Sequence, residues 1–419
     1  MTGQRTDRGR RRRRGAASYL LLVGTSSLVA IIGLSVLASA RRQRDALSST
    51  QDWTQSRRLA FSAAQHALAR LTEEALASPS SNSLSVTDFS TTIEGGKMSW
   101  RIRRPDGSVP TSRDDDLVLD ASGAKGIAAY YQRGVLRTTR TPHDYLSSAL
   151  HCMSAVTVHS SSRIAFVGAP LTSAVSVGNS SIIHGDIRTL AHLPAHTCSG
   201  TITIAVETYD SPRSGIVDDY WSKATPLTSA TSSIYKVVIT PDLNPFGATN
   251  ADGLYAWDLK SSATLADSRI LGTLIVRTNG HTLTVSDSVL IENFRAEYPA
   301  LIVDGDADLE FDGGDGLLSE ANLGMNLNPT GAPYEGITDA DTSDSYPSQL
   351  RGFVHITDDL TVTDTARVKG ACLVNGTASI RDEVVFAHDS AIVDTPPIGY
   401  GDVTAFTIAP GSWQRIEPW

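Results

Sequence analysis

From Gly15 to Ala40 the chain runs 26 residues without a charged side chain, GAASYLLLVGTSSLVAIIGLSVLASA, and this stretch limits the fold more than any other. As a helix it is about 39 Å long, enough to cross a hydrocarbon core of roughly 30 Å with some tilt. Arg10 to Arg14 form an unbroken run just before it, with Arg5 and Arg8 upstream. By the positive-inside bias that end stays in the cytoplasm. Arg41, Arg42 and Arg44 follow the span and oppose this orientation with fewer charges. A cleavable signal peptide is the competing reading, since Ala38-Ser39-Ala40 has the form of a cleavage site, but the apolar region is longer than a usual h-region. Gly24, Thr25, Ser26, Ser27 and Gly33 are small residues of the kind found where membrane helices pack together.

Charge is split along the chain. Residues 1–58 carry twelve Arg, no Lys and three Asp, a balance of +9, while the whole chain of 419 residues is −9. The basic end suits an anionic cytoplasmic membrane face. The acidic remainder argues against nucleic acid as a partner, which needs a basic footprint. The expected location is the inner membrane, with the body extracytoplasmic.

The helix is predicted to continue past the membrane, because no Pro or Gly appears between Arg41 and Ala77. Phe61, Ala64, Leu68, Leu71 and Ala75 follow a 3,4,3,4 spacing that puts them along one face. Ser78-Pro79-Ser80-Ser81-Asn82-Ser83 ends it. A basic leader (1–14), an Arg14-Gly15 junction, a long apolar helix running into an amphipathic one (15–77) and then a β domain resembles the layout of type IV pilin-like proteins. The resemblance covers about 65 residues. It implies processing by a prepilin peptidase at the Gly15–Ala16 bond, and partners among pilin-like or secretion-system subunits that meet the helix. The major-pilin pattern has Glu at the fifth mature position, where this chain has Leu20. The sequence is therefore more similar to minor, tip-type members (PilX- or GspK-like). The run Ser56–Ala64 also echoes the alanine-rich segment that follows the membrane helix in the PilX-type group.

The fold class expected is mainly β: the long N-terminal helix, then a β-rich body forming a right-handed β-solenoid with insertions. Residues 84–144 read as a small β unit, with the alternating run Ser99–Arg103 and the turn Pro105-Asp106-Gly107. Across 145–400 short alternating segments recur. Ser154–Val158 is echoed at Ser173–Val177, 19 residues on, and Val362/Ile380 and Val368/Phe386 are each 18 apart. Stacked coils explain such a period, because one coil cannot bury its own inward residues. A sandwich of antiparallel hairpins is the alternative. Residues 205–260 and 312–350 break the period and read as insertions, and 401–419 as a tail.

The candidate chemistry lies mainly in carboxylates. Asp304, Asp306 and Asp308 alternate, which in a strand sets them on one face, with Asp312 and Asp315 following. Asp339, Asp341 and Asp344 form a second cluster, in a loop. No cofactor is expected, but either group could hold Ca²⁺, although neither has an EF-hand pattern. Cys152 and Cys198 could pair outside the cytoplasm; the other reading of the three cysteines is as small buried hydrophobes. His192, His196 and Cys198, joined by His151 or Cys152, have the residue types of a zinc site. There is no G-x-S-x-G, H-E-x-x-H or phosphate-binding loop. The expectation is a non-enzymatic, membrane-anchored surface protein with an adhesive or structural β body, which could meet a surface glycan. The alternative is a tethered enzyme acting on acidic glycans through the Asp306, Asp308 and Glu310 row.

Overall fold

The computed structural model describes residues 9–78, 81–159, 162–179, 181–193, 198–205, 209–311 and 316–419. Helix α1 (Gly9–Ala77) is a single element of 69 residues, about 100 Å long, starting inside the arginine run. It is the one helix among the described residues that is long and apolar enough to cross a membrane, and its apolar stretch is wholly exposed. Hydroxyls in that stretch bond to the helix's own carbonyls. Thr25 and Ser26 donate to Leu22 O, and Ser35 donates to Ile31 O. Their polar groups are thereby satisfied without water, as hydrocarbon requires.

The described chain divides into two compact units, 1–74 with 83–138 and 405–419, and 75–82 with 139–404. In the first, β1 (Asp88–Ile93), β2 (Gly96–Arg103), β3 (Val118–Lys125) and β4 (Ala128–Pro142) form an antiparallel meander. Residues 401–419 are not a free tail. Strand Gly401–Ile408 adds to the sheet beside β4, and Gln414–Arg415 also pairs with β4. Asp120 at the centre of β3 is fully buried and lies directly opposite Arg101 on β2 and Arg133 on β4. Both arginines reach it, at 3.0 and 2.6 Å.

Helix α1 meets this sheet through small residues, and of the expected stripe Ala64, Leu71 and Ala75 are buried while Phe61 and Leu68 are not. The buried face is Ser56, Ala60, Ala63, Ala64, Ala67 and Leu71, with Ala75 buried one turn on, whereas Phe61 is 40% exposed and Leu68 only half-buried. The reason is close approach. A Cβ on Gly123 of β3 would lie 2.2 Å from Ser56 O and 2.5 Å from Ala60 N. The helix backbone therefore rests on the strand, and large side chains are turned aside. Ser56 Oγ donates to Ala128 O at 2.9 Å.

The second unit is a parallel solenoid, with nineteen strands among the described residues, not a sandwich. Inward positions stack in register: Ala263, Leu283, Ala307, Leu360, Ala378, Val156 and Val177 form one buried ladder. Val362 stacks on Ile380 and Val368 on Phe386, as their spacing predicts. The 19-residue echo is displaced, since Val156 pairs with Val177 rather than Val175. The two coils keep one register from Leu150 opposite Leu171 to Val158 opposite Asn179, and Ser173 Oγ donates to Ser154 O at the corner. Residues 225–258 are not wholly an insertion: strands within them pair in parallel with 254–277 and build coils of their own.

Coil order differs from chain order. The first coil, 150–167, lies between 171–184 on one side and the last coil, 372–388, on the other. From 171–204 the chain passes through α2 (Ile216–Lys223) to the far end at 225–239. It then winds back coil by coil until Cys372 meets Leu150.

Candidate functional site

The solenoid has three faces, and their outward rows differ. On the first, Ala256, Ile275, Ile302, His355, Leu373, His151 and Thr172 form a ladder. Tyr145, Ile216, Tyr220, Tyr298 and Tyr400 pack with it in a second apolar cluster. His355 Nδ1 pairs with the Tyr400 hydroxyl at 2.8 Å, and His151 Nδ1 with Thr172 Oγ1 at 2.5 Å. Burial pulls both imidazoles down to about 4, so they are neutral at pH 7.

The second face carries Thr264, Thr284, Asp308, Thr361, Ser379 and Thr157 in one outward row of short polar side chains. Their repeat is that of a β-ladder, about 4.8 Å. Asp304, Asp306 and Asp308 lie on strand Leu301–Phe311 and all point outward, as their alternation predicts. They do not converge on a common point. Asp304 approaches Arg277, Asp306 accepts from Asp359 N, and Asp308 shares the Thr363 hydroxyl with Glu310. Partial burial and the Glu310 carboxylate raise the Asp308 carboxyl to about 6.

On the third face the outward row includes Val238, Arg269 and Leu290. The 316–348 excursion folds over it, packing Leu318, Leu327, Ala332 and Tyr346 onto Val238 and Leu290. Arg269 is 1% exposed and pins the excursion by its fork. Nη1 donates to Leu327 O and Ala332 O at 2.8 Å, Nη2 to Pro333 O at 2.7 Å, and Tyr334 and Tyr346 stack nearby. Beside it a cavity of about 430 Å³ is lined by Glu292, Phe294, Glu335 and Arg351.

Within the excursion Glu320, Asp339 and Asp344 place oxygens within 4.8 Å of one another. Asp339 and Asp344 belong to the acidic loop singled out in the sequence. Asp341 is exposed and turns instead to Ser343. Glu320, missed in the sequence because it stands alone nineteen residues upstream, comes from helix α3 (Glu320–Leu323) and is fully buried. It accepts from Leu327 N at 2.6 Å, the Tyr346 hydroxyl at 2.9 Å and Asp344 N at 3.1 Å.

The expected Cys152–Cys198 bridge is not formed: all three cysteines are free. Cys152 and Cys372 point into the solenoid core, and Cys152 Sγ contacts Gly376 O at 3.0 Å while Cys198 Sγ contacts Gly185 O. Burial raises the Cys152 thiol to about 11. His151 and Cys152 are consecutive strand residues on opposite sides of the sheet, so they cannot ligate one ion together. His196, Asp312, Asp315 and the side chain of His192 lie outside the described residues. Arg14, Gly15 and Ala16 lie within α1.

No family model and no curated protein sequence matches the chain. Among solved structures it is similar to an ice-binding protein (LeIBP) from an Arctic yeast, at 11% identity and a TM-score of 0.30, over 60% of this chain and 96% of that one. It is also similar to the competence-associated pilin ComZ of Thermus thermophilus, at 11% identity and a TM-score of 0.22, over 87% and 97% of the two chains. A third is an ice-binding protein domain of Shewanella frigidimarina, at 12% identity and 0.24, over 60% and 99%. At these values the functional reading rests on the chain's own residues and geometry.

Proposed function

We propose that this is a non-enzymatic, pilin-like surface protein of the minor or tip type, held in the inner membrane by the first half of α1 with its β body displayed outside. The observation that carries the reading is the division within α1. Its N-terminal half exposes Leu20, Leu22, Leu28, Val29, Ile31 and Leu34 without protein cover, while its C-terminal half buries Ser56, Ala60, Ala63, Ala67 and Leu71 against a sheet. That is a helix with two environments, one of them lipid or neighbouring helices. The arginines before it orient the N-terminus inward. The hydroxyl and carboxylate ladder of the second face offers a flat, regularly spaced surface for adhesion to a glycan or other ordered polymer.

The test is the mature N-terminus of protein recovered from its native host, read by mass spectrometry. A start at Ala16 is expected. A start at Met1 or Thr2 removes the pilin reading and leaves a tethered solenoid, and a start at Arg41 means a cleaved signal peptide and no anchor.

The enzymatic alternative rests on Asp308 and Glu310, whose carboxyls share one hydroxyl. Glycoside hydrolases hold their two carboxyls about 5 to 9 Å apart to admit substrate or water. Asp308 and Glu310 are close enough to hydrogen-bond to each other, nearer than that separation, and fit the chemistry poorly. Depolymerisation of an acidic glycan that is lost in Asp308→Asn would favour the enzyme.

A further inference from the structure

We propose that the cavity beside Arg269 is a binding site for an uncharged saccharide of one or two rings. Two elements build it. Leu271, Glu292 and Arg351 lie opposite one another on consecutive coils and form one wall, in the outward row next to that of Arg269 and Leu290. The other wall is the tip of a hairpin in the 316–348 excursion. Tyr334 and Ile337 exchange both backbone hydrogen bonds at 2.9 Å, and the two residues between them, Glu335 and Gly336, both have positive φ, 48° and 84°. A two-residue turn of this kind requires that conformation at both positions. Glu335 is therefore held at a fixed place on the rim rather than on a loose loop. Phe294, the largest apolar side chain lining the cavity, is 46% exposed.

The ligand class follows from what these walls offer. A volume of about 430 Å³ suits a small molecule. The charges balance, with Glu292 and Glu335 against Arg269 and Arg351. An anion would meet two carboxylates and a cation two guanidiniums, so neither gains from the site as a whole. Neutral hydrogen bonding is what remains. The Glu335 carboxylate has no hydrogen-bond or ion-pair partner among the described residues. Arg351 gives Nη1 to Glu292 Oε1 at 2.9 Å and keeps further N–H donors for a ligand. Acceptors and donors thus line the cavity together with the apolar surfaces of Phe294, Leu271 and Pro333. A sugar ring matches that combination: its hydroxyls both donate and accept, and its C–H face covers an aromatic ring. A purely apolar ligand would instead strip water from the charged groups and give nothing back. The site is on a different face from the hydroxyl row, and the inference does not rest on the reading of α1.

The experiment uses the full chain in a detergent without a sugar headgroup. Saturation-transfer NMR is run with maltose, cellobiose, lactose and N,N′-diacetylchitobiose in turn, each at millimolar concentration. At least one is expected to receive saturation, and its Kd should rise by about tenfold or more in Phe294→Ala. Glu335→Asn removes the carboxylate while keeping a residue that tolerates positive φ, and should weaken binding as well. Both side chains are exposed, so Tm should hold in both variants, and Glu335→Asn keeps the test readable if Phe294→Ala does not fold. Asp308→Asn, on the second face, should leave binding intact. No transfer to any of the four sugars, or transfer undiminished in both cavity variants, would overturn the site. Loss of binding in Asp308→Asn alone would move it to the second face and overturn it equally. Tighter binding of glucuronate or glucosamine than of every neutral sugar would overturn the ligand class. None of these outcomes bears on the processing of α1.

Discussion

At the scale of single residues, Arg269 shows how a charge placed on an outward strand position becomes structural. It sits between Val238 and Leu290 on the third face, where solvent would meet it if the excursion did not. Arg269→Met keeps much of the volume but leaves three carbonyls without their donor, and should cost about 2 to 4 kcal/mol. Arg269→Lys should recover only part of this, since one ammonium cannot serve the fork. Denaturant unfolding would measure both, with early cleavage inside 316–348 as the local sign. Two of the buried histidines act through pH. His355 and His151 are held near 4 when folded but return to about 6.5 when unfolded. Between those values the unfolded chain binds more protons, so stability is full above pH 6.5 and is lost as pH falls towards 4, by about 3 kcal/mol for each. Asp308 is raised and works the other way, losing stability as pH rises from about 4 to 6, but it is partly in solvent and contributes less. The histidines win, and Tm should drop on acidification from pH 7 to 4.5. His355→Gln should flatten that slope; an unchanged slope would show that His355 is not the sensor.

At the scale of elements, α1 and the β3 strand are fitted to each other by what they lack. Gly123→Ala would force a Cβ to within 2.2 Å of Ser56 O, so the helix must lift or the strand bend. The expected loss is about 1 to 3 kcal/mol, the usual cost of overpacking, read as a lower urea midpoint of the purified chain. Phe61→Ala, which loses an edge contact with Trp413 but no backbone fit, should cost less, about 0.5 to 1 kcal/mol by the same measurement. The difference between these positions also marks what sequence can reveal. A helix through 15–77 is legible because nothing in the stretch interrupts it, and apolar periodicity shows that one face is covered. Which face is covered is legible only in part: Ala64, Leu71 and Ala75 of the expected stripe are buried, but a hydrophobic ranking favours Phe61 and Leu68 over Ala60, Ala63 and Ala67. Only the glycine on the partner strand makes the small residues the better fit. The solenoid follows the same logic. The 18-residue spacings of Val362/Ile380 and Val368/Phe386 survive because those coils have regular corners. The echo at 154 and 173 slips by two residues, an even number that keeps side chains on the correct side and so hides in the pattern. Asp339 and Asp344 were visible as an acidic loop, but Glu320 and Asn328 join them only through the fold of the excursion.

At the scale of the whole molecule, the order of the coils is the feature that governs folding. In an ordinary solenoid each coil follows its neighbour in sequence, contacts stay local, and damage at the C-terminal end frays that end alone. In this chain the last coil is a central layer. Leu373 pairs with His151 and Phe386 with Phe166 across more than two hundred residues of sequence, while the same strands pair on their other side with 350–356 and 366–370. The coils of 150–204 therefore reach those of 225–362 through the 372–388 layer. Closing so long a loop costs only a few kcal/mol, because the entropy grows with the logarithm of length, but it must be paid before the contacts are gained. The body is thus expected to fold slowly and as one cooperative block rather than coil by coil. Val374 is fully buried between Cys152 and Ile356, so Val374→Asp places a charge in the middle of the stack. Hydrogen exchange followed by mass spectrometry should then show lost protection on both sides, in Leu150–Cys152 and Ile164–Val167 as much as in Gln349–Ile356. If the 150–204 coils kept their protection while 349–388 lost theirs, the two sets would be independent folding units and the central layer only a contact between them. The topology argues for the first outcome: strands 150–167 have one neighbouring coil in 171–184 and the other in 372–388, and with the second gone a face of their core is opened to water.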